Sequence, residues 1–115
     1  MFGEYLREQR ELLRQGDKRY SLRQVSQRAG IEPTYLSKIE REELPPPSEQ
    51  TIKKLSQDLC LDADILLAMA GKVSADLREI ICKRPQLFAE LIRQLKKMPD
   101  QAVVRVVREA TDGNW

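Results

Sequence analysis

Apolar side chains recur along this chain at the three- and four-residue spacing of helices, interrupted by glycine, proline and short polar runs. Phe2, Tyr5, Leu6, Gln9, Leu12 and Leu13 gather mostly on one face of a first helix over 2–14, with Arg7, Glu8, Glu11 and Arg14 elsewhere. A polar loop around Gly16 and Asp17 leads into 21–40, SLRQVSQRAGIEPTYLSKIE, which reads as two short helices meeting at Gly30. Ser21 is placed to cap the first of them, Gln24 to complete a capping box, and Tyr20 to staple onto Val25. Gly30 supplies the positive φ of the turn, and Pro33 suits a first helical turn, where its missing N–H would be unpaired anyway. Leu44-Pro45-Pro46-Pro47 excludes helix and predicts an extended run. Ser48 then caps a fourth helix carrying Ile52, Leu55, Leu59 and Cys60; Asp62 caps a fifth carrying Ile65, Leu66 and Met69 and ending at Gly71. Ser74 can cap a further helix with Leu77, Ile80 and Ile81, and Pro85 opens another whose broad apolar face holds Leu87, Phe88, Leu91, Ile92 and Leu95. After Pro99 and Asp100, Val103, Val104, Val106, Val107 and Ala110 fit a helix better than strict alternation, with a strand the alternative that four valines favour. The fold class is all-α.

The helix after Gly30 is the informative one. Leu36 and Ile39 point inward, leaving Thr34, Tyr35, Ser37, Lys38 and Arg41 on the outer face and its flanks. Alone, such a set is an ordinary solvated surface. Together with the partner helix, the turn glycine, the proline and the short connection, it is the layout of a helix-turn-helix that reads DNA. Its polar side chains can hydrogen-bond base edges, touch a thymine methyl and neutralise phosphate. Thr34, Tyr35, Ser37 and Lys38 are the candidate base readers, with inward packing an alternative for Tyr35. Arg23, Gln24, Arg41 and the helix N-terminus capped by Ser48 are candidates for phosphate.

Composition narrows the function. A chain of 115 residues supports one small core with a helical appendage. A net charge of +2 does not by itself announce a nucleic-acid binder, and residues 1–47 hold nine Lys/Arg against eight Asp/Glu. Any positive face must therefore come from the placement of Lys18, Arg19, Arg23, Arg28, Lys38 and Arg41, with Glu8, Glu11, Glu40 and Glu42 turned away or paired. The absence of histidine removes the commonest general base and metal ligand. Cys60 and Cys82 are too few for a structural zinc site and read as reduced, buried core residues. Carboxylates such as Glu40 and Asp62 have no evident catalytic partners, so no enzyme, metal or cofactor is expected. No apolar run approaches the roughly 20 residues of a membrane span, and the N-terminus lacks a signal-peptide core, so a cytoplasmic protein without membrane contact is expected.

The turn in RAGIEPTYLSKIE, the proline-serine lead into the fourth helix and the DADILLAMAG ending together resemble the DNA-binding domain of the Cro and phage-repressor (XRE) family. The resemblance covers about residues 2–71 and implies a five-helix repressor-like domain. It also implies an ion pair between an arginine of the first helix and a glutamate closing the recognition helix, here Arg10 and Glu40. The chain departs from the family pattern at Glu42, where glycine is common, and mildly at Ser26, where alanine is usual. A left-handed backbone at Glu42 would be strained, or the turn is built differently.

The expected organisation is thus a DNA-binding domain over 1–71 and a short helical extension over 72–115. The extension carries too much apolar surface to float free and is too short to bury it alone. Leu87, Phe88, Leu91, Ile92, Leu95, Val103 and Val107 are its candidate dimer or partner contacts. The expected function is a sequence-specific regulator of double-stranded DNA, a homodimeric repressor on a palindromic operator. The alternative is an antitoxin-like or adaptor protein whose helical tail binds a protein partner.

Overall fold

A computed structural model describes residues 1–113 and 115. The chain divides into two compact units, Met1–Ser74 and Ala75–Trp115. In the first unit follow α1 (Phe2–Arg14), a 3-10 turn (Lys18–Tyr20), α2 (Leu22–Ala29), α3 (Pro33–Glu40), α4 (Glu49–Asp58) and α5 (Ala63–Met69). Phe2, Leu6, Val25, Leu36, Ile39, Ile52, Leu55, Leu66 and Leu67 lie at the centre of its core. Around them α1 packs on α3, α2 on both α3 and α4, and α4 on α5.

Local chemistry sets where these helices begin. The Ser21 hydroxyl accepts the Gln24 N–H at 3.3 Å, the Ser48 hydroxyl accepts that of Thr51 at 3.3 Å, and Asp62 accepts those of Asp64 and Ile65. The reciprocal half of the Ser21 capping box does not form. The 3-10 turn already engages the Ser21 N–H through the Lys18 carbonyl at 3.2 Å, which leaves the Gln24 side chain at the surface.

Helices α2 to α5 all end on a left-handed residue, at Gly30, Glu42, Cys60 and Gly71. At Cys60 the amide donates to the Gln57 carbonyl at 3.4 Å and the Leu61 amide to that of Ser56 at 2.8 Å, the paired bonds of a Schellman end. This corrects the reading of Cys60 as core. The apolar period runs into the terminating position, where the side chain leaves the buried face, and Cys60 is exposed; Cys82 is exposed as well, and both thiols are free. Both cysteines are therefore expected to react with a thiol reagent under native conditions. Cys60→Gly should stabilise the unit by roughly 1 kcal/mol, because it removes the Cβ strain of a left-handed residue. Native thiol titration and urea unfolding check the two statements.

Two apolar faces also rotate relative to expectation. In α5 the inward stripe is Ala63, Leu66, Leu67 and Ala70, so Ile65 and Met69 are 57% and 40% exposed rather than core. In α1 the buried stripe is Phe2, Gly3, Leu6 and Arg10, and Leu12, two residues beyond Arg10 and so nearly opposite it, is exposed.

The second unit contains α6 (Ala75–Lys83), α7 (Pro85–Lys97) and α8 (Asp100–Asp112), so the valine-rich segment is helix and not strand. Among its described residues none is buried. Leu91, Leu95, Val103, Val106, Val107 and Ala110 line one apolar groove between α7 and α8. Leu87, Leu91, Ile92 and Val107 are exposed, while Phe88, Leu95 and Val103 are half-buried. Among the described residues no helix is long and apolar enough to cross a membrane.

Candidate nucleic-acid interface

The outward face of α3 is set by what its inward face buries. Leu36, Ile39 and Glu40 are buried, and the opposite side presents Thr34, Lys38 and Arg41 to solvent. Ser37 and Tyr35 fall at the two edges and are half-buried, with Tyr35 packed partly against the core.

Three contacts fix the tilt of α3. Arg10 Nε donates to Glu40 Oε2 at 2.7 Å and Nη2 to Oε1 at 2.9 Å, a two-pronged pair in which both side chains are buried. Its Nη1 donates to the Tyr20 carbonyl at 3.2 Å, so one guanidinium links α1, α3 and the 3-10 turn. Burial alone would lower the affinity of Arg10 for its proton, but the Glu40 carboxylate outweighs that and holds its pKa above the ordinary value. Next, a Cβ on Gly3 would stand 2.0 Å from the Ile39 carbonyl oxygen, so the start of α1 meets the end of α3 backbone to backbone. Last, Glu42 sits in the left-handed position with φ 62°. Its carboxylate accepts from the Met1 amino group at 2.9 Å and from the Glu4 N–H at 3.1 Å. Those bonds, the first above all, hold the Glu42 carboxyl below its usual pKa. The departure from glycine thus places an anion at the N-terminus of α1, where the helix dipole favours it.

The cations divide into two groups. Arg28 donates to both Asp58 oxygens, at 2.5 and 3.1 Å, and to the Arg19 carbonyl, with its guanidinium 5.4 Å from the centre of the Tyr20 ring. Arg19 forks onto Asp17 at 2.6–3.0 Å, and this bonding pulls the Asp17 carboxyl down to about 2. Arg28 thus fastens α2 to α4, which corrects its placement on a basic face, whereas Arg19 is 76% exposed in a pair local to its own turn. Lys18, Arg23 and Lys38 have no carboxylate partner among the described residues. Arg41 Nη1 meets Glu43 Oε2 at 2.7 Å in a pair open to solvent.

Arg23 and Gln24 are exposed in the first turn of α2. Its first residue, Leu22, shares a shallow concavity with Arg7, Arg10, Ser37 and Arg41, so the start of α2 and one edge of α3 border the same hollow. Arg7 is the cation that sequence reasoning missed. Its signal was its place one turn before Arg10, on the flank of α1 that meets α3. Ser48 is exposed at the start of α4, with its hydroxyl engaged by Thr51 and with Glu49 in the first turn. The proline run before it is held by Lys72, whose Nζ donates to the Pro47 carbonyl at 2.8 Å.

A family model described as helix-turn-helix matches residues 6–66. Among solved structures, one described as the SinR protein/SinI protein complex is similar to this chain, with 25% identity and a TM-score of 0.49, covering 84% of this chain and 95% of that one. No curated protein matches the chain.

Proposed function

Since the chain belongs to the helix-turn-helix family of Cro and phage-repressor (XRE) type, DNA-binding regulators of transcription, we propose that it acts as a homodimeric repressor on a palindromic operator. The observation that carries this reading is the outer face of α3. Thr34 and Lys38 stand exposed, with no role in the core, on a helix whose tilt is fixed by a buried ion pair. In this reading Thr34 and Lys38 read base edges from the middle of that face, and Ser37 and Tyr35 contribute from its edges. Arg23, Gln24, Arg41 and the start of α4 at Ser48 hold phosphates, joined by Arg7. One such helix touches only a few bases. Two-fold pairing through the second unit presents two of them to half-sites about 34 Å apart, and repression then needs only that the operator be occupied.

Selection of bound duplexes from a random pool, followed by titration of Lys38→Ala, tests the reader. The variant is expected to keep its melting temperature, because Lys38 is exposed and unpaired. It should lose about 1–3 kcal/mol of preference for the selected site over random duplex. Unchanged preference in the same salt would remove Lys38 from the reading face.

A further inference from the structure

We propose that Gly3 is a specificity-determining positioning residue: it lets the end of α3 rest on the backbone of α1 and so sets the offset between the base readers and the phosphate contacts. The inference rests on the reading of α3 as the DNA-reading helix given above. Gly3 is buried in the first turn of α1, and a Cβ there would lie 2.0 Å from the Ile39 carbonyl oxygen, 3.1 Å from its carbon and 3.0 Å from Glu42 Oε1. Swinging the oxygen aside would break the bond it accepts from the Glu42 N–H at 3.0 Å in the turn that closes α3. The start of α1 is held as well, since Phe2 beside Gly3 is buried in the core.

A second contact joins the same two helices. Ile39 and Glu40 are consecutive on α3, while their partners Gly3 and Arg10 lie two turns apart on α1, about 10 Å along its axis. Two attachments at that spacing define an angle. The Arg10–Glu40 attachment is made of side chains and can follow a small movement, whereas the Gly3 attachment is backbone on backbone and cannot. A side chain at position 3 therefore displaces the end of α3 from α1 by about 1 Å or more and pivots it about the ion pair. Between the two attachments stands Arg7, exposed on α1 and bordering the same hollow as Ser37 and Arg41 of α3. An operator complex must satisfy phosphates and base edges at once, and base hydrogen bonds tolerate only about 0.5 Å, so this displacement takes Thr34 and Lys38 off their bases. Random duplex asks only for phosphates, which long cationic side chains can follow. The cost of the displacement therefore falls on the operator complex.

The test compares Gly3→Ala with Leu67→Ala, which loosens the core at α5, away from the contact of α1 with α3. Both variants are expected to melt below the parent, so binding is measured well below both melting temperatures, with sucrose added to favour the folded state. Gly3→Ala should lose about tenfold or more in affinity for the duplex selected by the parent, the equivalent of at least one base contact, and about twofold or less for random duplex. Leu67→Ala should keep the parental ratio of the two affinities. A parental ratio in Gly3→Ala would overturn the proposal and leave Gly3 as a packing residue. An equal fall of the ratio in both variants would also overturn it, by tracing the loss to a looser core. So would a Gly3→Ala chain that stays unfolded in sucrose, because the contact would then be unable to yield by a pivot. Unchanged preference in Lys38→Ala would instead bring down the reading of α3 itself, an outcome distinct from failure of the Gly3 proposal.

Discussion

Replacing Arg10 by alanine is expected to destabilise the Met1–Ser74 unit by about 3–5 kcal/mol, the usual consequence of removing one member of a buried ion pair. The loss comes from what remains. Glu40 is left as a buried carboxylate with both oxygens deprived of their Arg10 donors, and the Tyr20 carbonyl loses the Arg10 Nη1 donor. Replacing both partners, with Arg10→Met and Glu40→Leu, should cost far less than either single change, because no buried charge is stranded. That double variant separates stability from function. If the pair sets the tilt of α3 relative to α1, the double variant folds and binds random duplex but discriminates operators less well than the parent. Urea unfolding followed by the tyrosine near-ultraviolet signal isolates the relevant unit, because Tyr5, Tyr20 and Tyr35 all lie within it. A loss below 1 kcal/mol for Arg10→Ala would mean that the pair is screened like a surface bridge.

The sequence announces elements more clearly than faces. Ser21, Ser48, Asp62, Gly30 and Pro33 act within a turn of where they stand, so helix starts and the central turn are readable without knowing what they pack against. Burial is decided by distant partners. Arg10 looks like a surface cation until Glu40, thirty residues on, draws it into the buried stripe of α1, while Leu12 on the nearly opposite side stays exposed. In α5 two apolar stripes compete, Ile65 with Met69 and Leu66 with Leu67, and the second wins because Ala63 and Ala70 beside it let the helix approach closely. Cys60 continues the period of α4 but stands where the backbone turns left-handed. The charge reading fails for the same reason. Arg28 resembles any other cation near the two-helix unit until Asp58, again thirty residues away, engages it. Nothing local distinguishes it from Arg23, which has no such partner. What was legible of the candidate site is the outward set on α3, because the Leu36 and Ile39 spacing fixes which side chains cannot point inward.

Changing Leu91 and Val107 to glutamine is expected to turn the proposed dimer into a monomer and to reduce operator affinity about 100-fold or more. The second unit spans residues 75–115, and none of its described residues is buried. An isolated unit of that size cannot repay the entropy of ordering its helices unless its apolar face is covered. Leu91 and Val107 are 46% and 57% exposed and border the groove between α7 and α8, so a second copy would bury them at the centre of its contact. Glutamine puts two polar groups into that contact without altering net charge, and binding to random duplex by a single reader should change little. A dimer holds its second reader near the second half-site at high effective concentration, and the monomer forfeits that advantage only where both half-sites are present. Sedimentation of parent and variant, run beside titrations of a full and a half operator, tests both parts. A glutamine variant that still dimerises would move the dimer contact to another surface. A parent chain that is monomeric in solution and occupies its operator as a monomer would remove the two-fold model and make the α7–α8 face the docking surface of a different protein.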